Sequence, residues 1–100
     1  MKVRFEWDPI KASGNLRKHG VSFPTAARVF ADPLRFSGPD QVVAGELRWR
    51  TVGFVEGFRV LLVAHTVHDA GDGAEIIRII SARRAERGER RRYEEETGEV

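Results

Sequence analysis

The 100-residue sequence contains no cysteine, which removes disulfide frameworks and thiolate metal sites from consideration. Long hydrophobic runs are missing too. The longest unbroken apolar stretch, Val60 to Ala64, falls far short of the roughly 18 residues a membrane-spanning helix needs. The opening Met1-Lys2-Val3-Arg4-Phe5-Glu6 has no apolar core of a secretory signal. A soluble, cytoplasmic protein without membrane contact is therefore expected. There are no internal repeats, low-complexity tracts, linkers or glycine-rich phosphate loop. With 41% apolar residues and 9% aromatics, the chain reads as one globular domain over residues 1–100.

What is present is arginine. Fourteen arginines stand against three lysines, although the net charge is only +2. Arginine offers a planar fork suited to phosphate and carboxylate, so the bias points to a polyanionic partner; a coding sequence rich in G and C gives the same bias. The charge is also uneven. Arg78 to Tyr93 holds seven arginines and two glutamates, whereas Glu94 to Val100 holds four glutamates and no base. Residues 94–100 are expected to form a frayed acidic tail.

Residues 3–7 alternate apolar and polar, the period of a half-buried strand. Asp8-Pro9 has the form of a helix start, and Gly20 that of a left-handed stop. Phe23, Ala26, Ala27 and Phe30 fall at helical spacing over 22–31, which Asp32-Pro33 ends. A weak strand over 34–40 runs into Ser-Gly-Pro-Asp. Strands follow at 46–56, 58–68 and 74–81, joined by Glu56-Gly57 and by Asp69-Ala70-Gly71-Asp72-Gly73. Helical spacing over 82–95 closes the chain, with Glu86 and Arg90 expected to pair one turn apart. The expected fold class is α+β, with a small antiparallel sheet of about four strands packed with three helices.

If Glu56-Gly57 is a two-residue hairpin turn, Arg48 faces His65. If the second loop has four residues, His65 faces Arg78. That register predicts a row of Arg48, His65 and Arg78 across three strands, which a slip of one residue would destroy. Two guanidiniums beside an imidazole suit a phosphodiester. RNA carries its own nucleophile, so its cleavage needs a base, an acid and cations but no metal. The base and acid candidates are His65, His68, His19, Glu46 and Tyr93, and the charge-stabilising candidates are Arg48, Arg59, Arg78 and Arg83. Plainer roles compete: solvation for Arg48 and Arg50, a packed structural role for His65, and an anchoring role for Tyr93. Arg78 interrupts Ile76-Ile77 and Ile79-Ile80, where an arginine must pair or face an open cleft. Asp69, Asp72 and Glu75 read as a polar turn, so no metal and no cofactor are expected.

Phe5-Glu6-Trp7-Asp8-Pro9, Lys11-Ala12, Asn15 and Lys18-His19-Gly20-Val21-Ser22-Phe23 resemble the opening of the BrnT family of type II toxins. The resemblance continues through Ala26-Ala27, Val29-Phe30, Asp32-Pro33, Gly45-Glu46-Leu47-Arg48, Gly53, Leu61-Leu62-Val63, Arg78-Ile79-Ile80-Ser81-Ala82-Arg83, Ala85, Glu89-Arg90 and Tyr93. It implies a fold similar to RelE-like ribonuclease toxins and an endoribonuclease that arrests translation and growth. It further implies a cognate antitoxin with a ribbon-helix-helix region, through which the pair reaches promoter DNA. Lys18, His19, Glu46, Arg48, Arg78, Arg83 and Tyr93 match the family's polar motif positions. One departure is His68, where family members often have arginine. The resulting expectation is a metal-independent ribonuclease with His65 or Glu46 as base and Arg48, Arg78 and Arg83 on the phosphate. Tyr93 or His19 serves as acid or orienting group, and Lys18, His19, Arg50, Arg59, Arg84 and Arg87 contact RNA. The alternatives are a non-catalytic basic module that binds nucleic acid or the ribosome through a helix over Arg83–Arg92, and a docking surface for an acidic partner.

Overall fold

Asp8 accepts the amide proton of Ile10, Pro9 takes the first helical position, and Gly20 closes the helix at φ +71°. These local signals act as the sequence predicts. A computed structural model describes residues 2–98. In chain order it contains β1 (Lys2–Glu6), α1 (Pro9–His19), α2 (Phe23–Ala27) and a 3-10 turn (Arg28–Ala31). Then come β2 (Phe36–Val43), β3 (Glu46–Val55), β4 (Arg59–Asp69), β5 (Ala74–Arg84) and α3 (Arg87–Thr97).

The sheet has five strands in the order β1-β5-β4-β3-β2. Four are antiparallel neighbours, as expected. The fifth, β1, adds in parallel to β5 at the edge, pairing Lys2 with Ala74 through Glu6 with Arg78. The class is the predicted α+β with one strand more. The intervening helices cover one face of the sheet. Val21, Phe23, Ala26 and Val29 pack there against Val55, Leu61, Val63, Ile77, Ile79 and Ala82. Asn15, buried in α1, joins that layer to the sheet. Its Nδ2 donates to the carbonyls of Val21 (2.9 Å) and Ala82 (2.8 Å), and its Oδ1 accepts from the Ala82 amide (3.1 Å). Because β1 stops pairing at Arg78, the Asn15 side chain supplies Ala82 with the partners a neighbouring strand would give.

The second face is mostly open. A smaller cluster of Val52, Val60, Leu62 and Tyr93, joined by Phe36 and Ala85, lies under α3 at one end. The end of the chain corrects three expectations. Ala82 to Arg84 continue the strand, because Ala82 is buried in the sheet and Asn15 holds its backbone. The helix starts only after Glu86, whose side chain forms a reciprocal capping box with Glu89. Glu86 therefore caps α3 and approaches Arg83 at 3.7 Å, instead of pairing with Arg90. Nor do residues 94–97 fray. They extend α3, with Glu94 against Arg90 (3.7 Å) and Glu96 against Arg92 (2.9 Å), one turn apart. Glu99 and Val100 lie outside the described residues.

Candidate functional site

The hairpin after β3 is one residue longer than its Glu-Gly signal predicts. Val55 pairs with Arg59, so Glu56, Gly57 and Phe58 form the turn, with Gly57 at φ +88° and Arg59 at φ +66°. The β4–β5 register is also one residue off the predicted one. His65 consequently stands between Trp49 and Ile79, while Arg78 pairs with Thr66. The expected row of Arg48, His65 and Arg78 does not form. A one-residue slip turns a side chain to the other face, and His65 lies 2% exposed on the covered face.

The same slips assemble a different group on the open face. Side chains at Arg50, Ala64 and Ser81 share one row, and Leu62 and Arg83 another. Arg78 is on this face through its pairing with Thr66 and Glu6. Arg78 and Arg83 are an odd number of residues apart, so an unbroken strand would point them to opposite faces. A bulge resolves this. The register shifts between Ala64 and His65 on β4, where β5 carries Ile80 as an extra residue. The contact of Glu46 with His68 at 3.1 Å continues the register set by Arg50 with Ala64. Arg48 falls between them, beside Thr66. Four arginines (48, 50, 78 and 83) thus surround a floor of small side chains from Ala64, Thr66 and Ser81.

These charges are held unequally. Arg78 reaches Glu6 through Nη1 at 3.4 Å, with both side chains nearly half exposed. Arg48 is half-buried, and its Nε has no hydrogen-bond partner among the described residues. Arg83 is gripped by Glu89 in a two-pronged contact of 2.8 and 2.9 Å. That hydrogen bond, outweighing burial, holds the Glu89 carboxyl below its usual range with help from the Glu86 amide, and raises the Arg83 guanidinium. Arg83 is therefore a fixed cation, whereas Arg48, Arg50 and Arg78 retain donors for an anion.

Other predicted residues sit elsewhere. Lys18 and His19 end α1, which covers the opposite face. Arg84 pairs with Leu61 on that face and lies over the Phe58 ring. Arg87 is exposed at the start of α3. Tyr93 is buried, stacked near Phe36, with its hydroxyl donating to Asp32. Burial pushes the Asp32 carboxyl up, but the Phe54 amide, the Tyr93 hydroxyl and the Leu34 amide outweigh it and hold it low. Tyr93 thereby ties α3 to the loop before β2. Arg59, Val60, Phe54, Leu34 and Tyr93 line a 550 Å³ cleft beside this tie. The expected basic helix over 83–92 is split, with Arg83 and Arg84 on β5 and Arg87–Arg92 on α3. Among the described residues, no three His, Asp or Glu side chains are placed to hold a metal ion, and no helix is long and apolar enough to cross a membrane.

His65 has a structural role. Its Nε2 meets Thr51 Oγ1 at 2.7 Å, Thr51 meets Ser37 at 2.6 Å, and Phe30 packs edge-on at 4.9 Å. Burial pushes the imidazole pKa below its ordinary 6.5, since the charged form loses its hydration. The unfolded chain then binds more protons than the folded one as pH drops below about 6.5. Stability from this group is complete above that pH and is lost on acidification. Melting temperatures measured from pH 7.5 to 5 should fall more steeply in the native protein than in His65→Gln; parallel curves would refute this assignment.

Sequence reasoning missed Thr66, Ser81 and Glu89. Alternation put Thr66 on the Arg48 face only if the hairpin turn held three residues. Glu89 was hidden by the assignment of Arg83 to a helix.

Residues 7–89 match the family model described as the ribonuclease toxin BrnT of type II toxin–antitoxin systems. Among solved structures, the chain is similar to the Brucella abortus ribonuclease toxin BrnT. The TM-score is 0.59 at 22% identity, covering 87% of this chain and all of that one. No curated protein sequence matches.

Proposed function

This chain belongs to the BrnT family of ribonuclease toxins of type II toxin–antitoxin systems, and from that premise we propose that it cleaves RNA on its open sheet face. The observation that carries the reading is the convergence of Arg48, Arg50, Arg78 and Arg83 around a floor of small side chains. Such a floor lets a phosphodiester approach the sheet, and guanidinium forks suit its oxygens.

In this reading the Glu46–His68 pair takes the proton of a ribose 2′-hydroxyl, whose oxygen bonds the adjacent phosphorus. The bond from phosphorus to the 5′-oxygen breaks, and that oxygen is protonated from water at the exposed face. The products are a 2′,3′-cyclic phosphate and a 5′-hydroxyl. Arg48 and Arg78 stabilise the charge that builds on the phosphoryl oxygens. Arg50 holds flanking backbone, and Arg83 adds a fixed positive edge. Since the nucleophile belongs to the substrate, no step calls for a metal-activated water. In this reading Glu46 and His68, both among the expected base and acid candidates, act together, and His65 leaves the set.

The family likeness also supports arrest of translation and growth, and neutralisation by a cognate antitoxin carrying a ribbon-helix-helix region. A purely binding role for residues 83–92 has less support, because Glu89 holds Arg83 while Arg90 and Arg92 pair with Glu94 and Glu96.

Purified protein incubated with an RNA oligonucleotide in EDTA is expected to leave cyclic-phosphate and 5′-hydroxyl ends. Induced expression of the chain alone is expected to stop growth. Cleavage that appears only with added Mg²⁺ would refute metal independence alone. Intact RNA with and without Mg²⁺, from a folded protein that permits normal growth, would overturn the ribonuclease reading.

A further inference from the structure

We infer that Thr66 is a substrate-binding residue whose hydroxyl donates to a non-bridging oxygen of an RNA phosphodiester held between Arg48 and Arg78. The inference rests on the reading of the open face as the cleavage site and adds a residue to it.

Thr66 is 1% exposed and its buried Oγ1 has no hydrogen-bond partner among the described residues, so a phosphate reaches it only when the side chains covering it move. A buried hydroxyl left unpaired is costly, and folded proteins rarely tolerate one without a reason. Valine has nearly the same shape without that cost. The strand already uses valine at positions 60, 63 and 67, so an apolar β-branched residue suits its backbone. The other buried threonine shows what a structural hydroxyl looks like here. Thr51, on the covered face, is bonded to both Ser37 and His65.

The second unpaired buried atom is Arg48 Nε. It belongs to the neighbour of Thr66 on β3, while Arg78 is the neighbour on β5. Adjacent strands are about 4.8 Å apart, so two guanidiniums flank one hydroxyl across a width that one phosphate group can bridge. Arg48 Nε is a donor and the threonine hydroxyl can act as one. Both lack an acceptor, and a phosphodiester offers acceptors only. The nearby carboxylates already have partners, Glu46 with His68 and Glu6 with Arg78 itself. The Arg78–Glu6 contact is the longer of the two, at 3.4 Å, and is the one a phosphate would replace.

The test uses Thr66→Val and Thr66→Ser in the full chain. It measures cleavage of the RNA oligonucleotide, binding of the same oligonucleotide with a 2′-deoxy scissile position, and the melting temperature. Thr66→Val is expected to lose about 10- to 100-fold in cleavage, the span for a hydrogen bond to a charged acceptor. Its binding of the analogue weakens, and its melting temperature is unchanged or higher because the unpaired hydroxyl has gone. Thr66→Ser keeps cleavage within about 3-fold of the native protein, well inside that span.

Native-level cleavage and binding by Thr66→Val would overturn the inference. So would a loss that serine does not rescue, or one accompanied by a clear fall in melting temperature, because the hydroxyl would then be structural. If the native protein binds the analogue but cleaves nothing, the proposed activity fails and the binding comparison still decides the role of Thr66. A native protein that neither binds nor cleaves RNA overturns both.

Discussion

Arg78→Ala is expected to reduce RNA cleavage by about 10²–10³-fold, the loss typical of removing one preorganised donor from a developing oxyanion. The melting temperature should move by no more than about 4 °C. The two effects separate because of where Arg78 sits. Its ionic partner among the described residues is Glu6 at 3.4 Å, and both side chains are nearly half exposed. An ion pair of that kind contributes under about 1 kcal/mol to folding. On the substrate side Arg78 adjoins Thr66 and stands two strands from Arg48, so its charge has no close substitute. Cleavage rates and thermal denaturation on the same preparations check the expectation. Induced expression of the variant should also permit growth. Retained cleavage would move the chemistry away from this face. Lost cleavage with a large fall in melting temperature would make Arg78 a structural residue.

The largest effect on stability is expected at Gly53. This residue is buried in β3, where a Cβ would lie 2.8 Å from Val29 Cγ1, 3.1 Å from the Val29 carbonyl and 3.3 Å from Arg35 Cβ. Val29 is fully buried and β-branched, so it has little rotamer freedom with which to retreat. Gly53→Val adds three carbons where the first already collides, and the 3-10 turn must lift from the sheet. Overpacking of this sort costs at least about 2 kcal/mol, which in a 100-residue domain lowers the melting temperature by on the order of 10 °C or more. The damage should spread. The turn leads into Asp32, whose carboxylate receives the Phe54 amide and the Tyr93 hydroxyl. Displacing it loosens α3 and the Glu89 grip on Arg83. Thermal unfolding of Gly53→Val within a few degrees of the native protein would show that Val29 and Arg35 can give way.

Much of this molecule was legible in its residues. Asp8-Pro9 and Gly20 delimit the first helix through caps that act locally, without help from distant contacts. Alternation from Glu46 to Val55 and the isoleucines of 76–80 mark strands because each residue's face follows from its neighbours along the chain. The family resemblance was legible too, in motifs that follow one another in order along the chain. That Arg83 joins Arg48, Arg50 and Arg78 on one sheet face as a strand residue was not legible, nor was the removal of His65 from that face.

The physical reason is that a strand's own sequence determines which of its residues share a face, while register between strands depends on single residues at turns and bulges. Glu56-Gly57 admits a turn of two or three residues, and packing of the completed sheet selects three. Ile80 looks like its neighbours in sequence, yet as the bulged residue it brings Arg78 and Arg83 to the same side. Each shift is one residue long, and one residue is enough to move a side chain from core to solvent. Composition and local pattern determined the elements and the chemistry available to them. Tertiary pairing alone decided which of those groups meet.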